Sequence, residues 1–189
     1  DGSTRVSKWV YTEIKLLKED SRILTWETTD KAASGSQTFT DKSGKTHTVD
    51  NNKNCVALSE AQAKLNGQNP RGGFLEIGES QKSIDAAEDY INQQLEKGNG
   101  VVIRFDYSTG VNYSGDRWGS DHTMYIYGRK TNSEGKGVFL ALDNARKARK
   151  DAMDESKTVQ HTEGSDGFYF NYSAKAVVIQ KNYEKNMRK

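Results

Sequence analysis

The chain carries a single cysteine, Cys55, and three histidines, His47, His122 and His161. With no second thiol to pair with in the chain, Cys55 acts either as a small buried hydrophobe or as a nucleophile. A lone cysteine is more often the buried hydrophobe, but its neighbourhood suits a nucleophile. It follows a segment rich in helix-capping residues, 50–54, which puts it in the first turn of a helix. There the unpaired backbone N–H groups and the helix dipole stabilise a thiolate, the reactive form. His122 opens an apolar strand after a loop rich in Gly, Ser, Asn and Asp, so its ring can sit at a cleft edge while its backbone is held. Asp143 ends the next strand, in Leu-Asp-Asn. If the two strands form a hairpin turning through residues 132–137, His122 and Asp143 stand nearly equidistant from the turn and become cross-strand neighbours. A cysteine, a histidine that takes its proton, and an acid that orients the histidine together make a nucleophilic centre. Asn144 offers the same orienting role without charge, and His47 and His161, in polar loops, are second choices for the histidine.

The elements that must position these groups are legible in outline. Val10, Thr12 and Ile14 alternate as in a strand, and a second short strand is expected at 23–27. Residues 30–54 form a long loop or a weak hairpin with Gly44 at its turn. Cys55, Leu58, Ala61, Gln62 and Leu65 trace one face of a helix that Gly67 terminates. A second helix is capped by Ser83, buries Ile84, Ala87, Ile91 and Leu95, and stops at Gly98. Residues 101–107 read as a strong strand and 108–121 as a loop into the histidine strand. There Met124 and Ile126 face one way with His122, and Thr123, Tyr125 and Tyr127 face the other. A strand follows over 138–143, then a charged stretch over 144–166 with a basic run at 146–150. A hairpin of 168–172 and 175–181 closes the chain. A helical first half followed by an antiparallel sheet predicts an α+β fold in one domain over 1–189. Residues 51–181 are its core, and 1–50 form an N-terminal extension or subdomain.

The bulk properties narrow the function classes. A length of 189 residues suits one domain with a real core. The apolar fraction is 33% and the mean hydropathy is −0.90, so that core is modest and leans on aromatic rings. A net charge of +2 gives no field that argues for nucleic acid or an anionic membrane, and neither partner is expected. No stretch approaches the roughly 20 apolar residues a membrane span needs. No Cys or His spacing fits a metal centre and no Gly-rich phosphate loop occurs, so neither metal nor cofactor is expected.

Cys55 opening a helix, Val-Val-Ile-Arg-Phe-Asp-Tyr over 101–107, Asp121-His122 leading to Gly128-Arg129, and Phe139 through Asn144 together resemble the papain-like cysteine peptidases and amidases. Bacterial C39-like, NlpC/P60-like and CHAP-like enzymes share this layout. The resemblance spans about residues 50–181 and implies a helix carrying Cys55 packed on an antiparallel sheet carrying His122 and Asp143. It implies that Cys55 attacks an amide carbonyl, His122 shuttles the proton and Asp143 orients His122. The Cys55 N–H would form part of an oxyanion hole. The family's Gln about six residues before the cysteine is here Val49, and the amides nearby are Asn51, Asn52 and Asn54. The implied protein is a secreted or periplasmic monomer, its targeting segment not visible. It cuts peptidoglycan peptide as a wall-remodelling enzyme or an antibacterial effector with a proteinaceous inhibitor or immunity protein. A peptide protease and an inactive binding or adhesion module on the same fold are the alternatives.

Overall fold

A computed structural model describes residues 7–17, 23–26, 36–41, 43–50, 54–107, 121–161, 167–171 and 174–185. Strand β1 is Ile14–Lys15, and β2 (Ser36–Thr40) and β3 (Thr46–Asp50) form a separate hairpin. Helix α1 spans Cys55–Leu65, β4 Phe74–Glu76 and α2 Gln81–Glu96. The remaining strands are β5 (Val101–Tyr107), β6 (His122–Thr131), β7 (Gly137–Leu142), β8 (Thr158–His161), β9 (Phe168–Phe170) and β10 (Ala174–Gln180). A one-turn helix α3, Arg149–Ala152, precedes β8.

The expected α+β arrangement of a helix laid on an open sheet is not what forms. Strands β5, β10, β9, β8, β7 and β6 pair antiparallel in that order, and β6 pairs back with β5, closing a six-stranded barrel. Two further strands extend it. β1 pairs β6 at Arg129 and Gly128, beyond the end of β5, and β4 pairs β10 at residues 178–180. The papain-like helix-on-sheet architecture is therefore corrected to a mainly β architecture with few helices. The physical reason is strand β8. Thr-Val-Gln-His sits inside a charged stretch that reads as a loop, yet it pairs with β7 on one side and β9 on the other, and so joins the two sheet edges.

Local chemistry explains most of the pieces. Asn132 builds the β6–β7 turn, its Oδ1 accepting from the N–H groups of Glu134 (3.0 Å) and Lys136 (2.9 Å). Gly44, at φ 86°, turns the β2–β3 hairpin, as a residue without Cβ must. Gly128 serves close approach instead: a Cβ there would run into the Ile14 carbonyl where β1 meets β6. Among the described residues of the first segment, strand is confined to Ile14–Lys15, and residues 23–25 form none. The second helix begins two residues earlier than its expected cap. Ser80 caps it by accepting from Ser83 N–H (3.2 Å), while the Ser83 hydroxyl accepts from Gly78 N–H (2.7 Å).

The barrel interior is one apolar cluster. Ile103 and Phe105, Met124 and Ile126, Phe139, Val159, Phe168, Phe170 and Ile179 meet there, joined by Ile84, Ile91 and Leu95 from α2. The opposite face of β5–β7 is also covered. Val102, Tyr125, Tyr127, Leu140 and Leu142 pack with Ala63 of α1. Because strands β5 to β7 are buried on both faces, α1 sits tightly against β6, and its first turn reaches the end where β6 begins. Among the described residues, no helix is long and apolar enough to cross a membrane.

Candidate active site

Cys55 is the first residue of α1. The preceding Asn54 is extended (φ −76°, ψ 130°) and its Oδ1 accepts from the N–H groups of Val56 (2.8 Å) and Ala57 (3.4 Å). That cap fixes the helix start one residue before the sulfur. Leu58, Ala61 and Leu65 then bury the same face as expected, and Ser59 donates to the Thr123 carbonyl (3.3 Å). The helix start is thus pinned to the beginning of β6.

His122 is held by strand β5. Asp121 N–H donates to Phe105 O (2.7 Å), and His122 pairs opposite Phe105 on β5. Its side chain keeps 13% of its accessible surface, so the ring is largely shielded yet reachable. Asp143 comes one residue after β7, with its N–H on Ala152 O (3.0 Å). The expected hairpin is present, but its register differs. Tyr125 stands opposite Leu142, after an irregularity between Ile126 and Gly128, so Asp143 falls towards Met124 and lies diagonal to His122. Diagonal neighbours remain within reach of such side chains. Asp143 Oδ1 accepts from His122 Nε2 at 3.0 Å.

The same side chain also interacts with the Cys55 thiol, by a hydrogen bond and by charge. The three groups named from the sequence therefore meet. The electrostatics follow from that contact. Burial disfavours the imidazolium, but hydrogen bonds to Asp143 and Cys55, and their charges, outweigh it and push His122 up to about 9. Burial likewise opposes the thiolate. The His122 bond and charge, and then hydrogen bonds from Thr123, override it and lower Cys55 below its usual range. Asp143 is 2% exposed; burial alone would raise it, yet His122 and Arg146 hold it below the ordinary carboxylate value. A thiolate–imidazolium pair at a helix N-terminus is the state these shifts favour.

Asn144, the alternative orienting residue, takes a different place, and Gln62 and Thr123 join the site. Asn144 does not touch His122. It is fully buried, and its Nδ2 donates to Leu24 O (2.9 Å) and Gln62 Oε1 (3.0 Å), while Gln62 Oε1 also accepts from Leu24 N–H (2.9 Å). Gln62 lies on α1, so this bridge ties the thiol-bearing helix to the segment bearing Asp143. A lone amide on an otherwise apolar helix face was the available signal. Thr123 gave none, being one more β-branched residue in a strand.

The other histidines are occupied elsewhere. His47 lies 2.7 Å from Asp41 in the β2–β3 hairpin. The Ser43 hydroxyl, then His47, holds Asp41 far below the usual carboxylate range. His161 packs edge-on against Phe168. Among the amides near the cysteine, Asn54 caps the helix. Asn51, Asn52, the Val49 side chain and the loop over 108–120 lie outside the described residues. No group of three or more His, Cys, Asp or Glu suited to a metal ion is present among the described residues. Comparison with protein-family models, with curated proteins and with solved structures finds no match for this chain.

Proposed function

We propose that the protein is a thiol hydrolase that cleaves an amide bond, with Cys55 as nucleophile, His122 as general acid and base, and Asp143 as the residue orienting His122. The observation that carries this reading is a single ring shared by two partners: His122 lies on Asp143 at 3.0 Å and interacts with the thiol of Cys55 at a capped helix start. Such an arrangement belongs to the site rather than to the fold, and unrelated architectures reach it independently.

The chemistry follows from the geometry. The Cys55 thiolate forms a bond to the amide carbon, and the carbonyl π electrons move to oxygen. The developing oxyanion is received by the Cys55 N–H at the start of α1. As the tetrahedral species collapses, the C–N bond breaks and the leaving nitrogen takes the proton from His122. Water then attacks the thioester while His122 accepts its proton. Collapse of the second tetrahedral species frees the acid and returns the thiolate. Asp143 remains ionised throughout and holds the ring.

The substrate class we favour is peptidoglycan peptide, cut by a secreted or periplasmic enzyme. Support comes from the motif order that resembles bacterial wall-cutting cysteine enzymes. The test is digestion of purified peptidoglycan by wild type and Cys55→Ala, with mass spectrometry of the released fragments. New peptide fragments with wild type alone are expected. Identical muropeptides from both remove the wall substrate, and cleavage of a mixed peptide library then identifies a protease.

A further inference from the structure

Asp143 is gripped from two directions, and only one of them belongs to the triad. Oδ1 accepts from His122 Nε2 (3.0 Å) and from Ala145 N–H (3.2 Å). Oδ2 accepts from Arg146 Nε at 2.8 Å. The arginine backbone is fixed as well, since its carbonyl accepts from Trp26 N–H at 2.9 Å. A carboxylate can rotate about its Cβ–Cγ bond, which is a broad two-fold torsion. Holding Oδ2 from the side away from the histidine removes that freedom and keeps Oδ1 aimed at Nε2. A charge-assisted bond to guanidinium is suited to the task because it is short and directional.

We infer that Arg146 is a positioning residue for the hydrolase site, a fourth member that sets the orientation of Asp143 and, through it, of His122. This rests on the thiol-hydrolase reading above. It also gives part of the basic run at 146–150 a role that a solvated charged face lacks. Arg146 acts without touching substrate, and its side chain is 50% exposed, so its replacement leaves the packed interior untouched.

The inference predicts a shift that a merely structural residue does not produce. His122 is raised in part by its hydrogen bond to Asp143. When Oδ2 is released the carboxylate rotates, that bond weakens, and His122 titrates nearer its ordinary 6.5. If Arg146 were only a charge beside Asp143, its removal would strengthen the carboxylate's pull on the imidazolium and move the titration the other way.

The experiment measures Cys55 alkylation by iodoacetamide against pH in wild type, Arg146→Ala, Arg146→Gln and Arg146→Lys, with circular dichroism to establish folding. Wild type is expected to show an upper inflection near 9. Arg146→Ala is expected to move it down by about one unit and to slow hydrolysis roughly tenfold through kcat, with KM unchanged. Ethylguanidinium restores part of the rate. Arg146→Lys keeps more activity than Arg146→Gln. An unmoved or upward-moved inflection in folded Arg146→Ala, with wild type active, overturns the positioning role alone. A wild type whose Cys55 resists alkylation below pH 8 removes the hydrolase reading, and this inference with it.

Discussion

The imidazole of His122 does two things at once, and the residue scale is where both can be measured. Its value of about 9 keeps it protonated through neutral pH, and its bond and charge lower Cys55 in favour of the thiolate. The productive pair therefore exists from the lowered Cys55 value up to about 9. Hydrolysis is expected to plateau across neutral pH and fall as pH rises through 9, where the imidazolium loses its proton and no acid remains for the leaving nitrogen. A steady climb of kcat/KM past pH 10 would contradict the pair. His122→Ala should lower kcat by about 10²–10⁴-fold, the usual contribution of a positioned acid and base. Asp143→Ala should cost about 10²-fold, because a ring that drifts by an ångström misses its partners. Asp143 has a sign of its own. Its folded value lies below the ordinary 3.8, so the stability it contributes is complete above that pH and is lost as pH falls through the folded value. Acid unfolding monitored by circular dichroism should be less steep in Asp143→Asn, and an unchanged profile would place the acid sensitivity elsewhere.

At the scale of elements, the start of α1 does the most for the site. Asn54→Ala removes the acceptor for two N–H groups and should cost about 1 kcal/mol in thermal unfolding. It should also slow Cys55 alkylation at pH 7, because a frayed first turn no longer presents its dipole to the sulfur. Equal alkylation rates in the two proteins would mean that His122 alone sustains the thiolate. This helix was readable because every cue was local: capping residues, a stripe at helical spacing and Gly67 after its end. The β6–β7 hairpin was readable for the same reason, Asn132 and Gly135 sitting between two apolar strands. Its register was not, because an irregularity between Ile126 and Gly128, at the place where Ile14 from far upstream packs against Gly128, shifts it. The start of α2 was misread by a choice between two serines, Ser80 and Ser83, both of which hydrogen-bond the backbone there.

For the whole molecule, closure was the illegible part. Strand periodicity shows which face of a strand is apolar but not which edges meet, and the ring closes only where β10 pairs with β5, a strand far upstream in the chain. Val159, two residues from the charged loop position Lys157, gave no sign that it is fully buried in the barrel interior. A closed barrel makes a specific prediction from it. Val159→Asp places an unpaired carboxylate inside and should cost several kcal/mol, abolishing Cys55 alkylation and native circular dichroism in the same urea transition. In an open sheet the same change, on a peripheral loop, would be silent.

The central claim is that His122 holds the Cys55 sulfur as a thiolate, and one rate tests it most directly. Alkylation of Cys55 by iodoacetamide at pH 6 should be at least about tenfold faster in wild type than in folded His122→Ala, because an ordinary thiol near 8.5 is almost wholly protonated there. Equal rates in the two proteins would contradict the account.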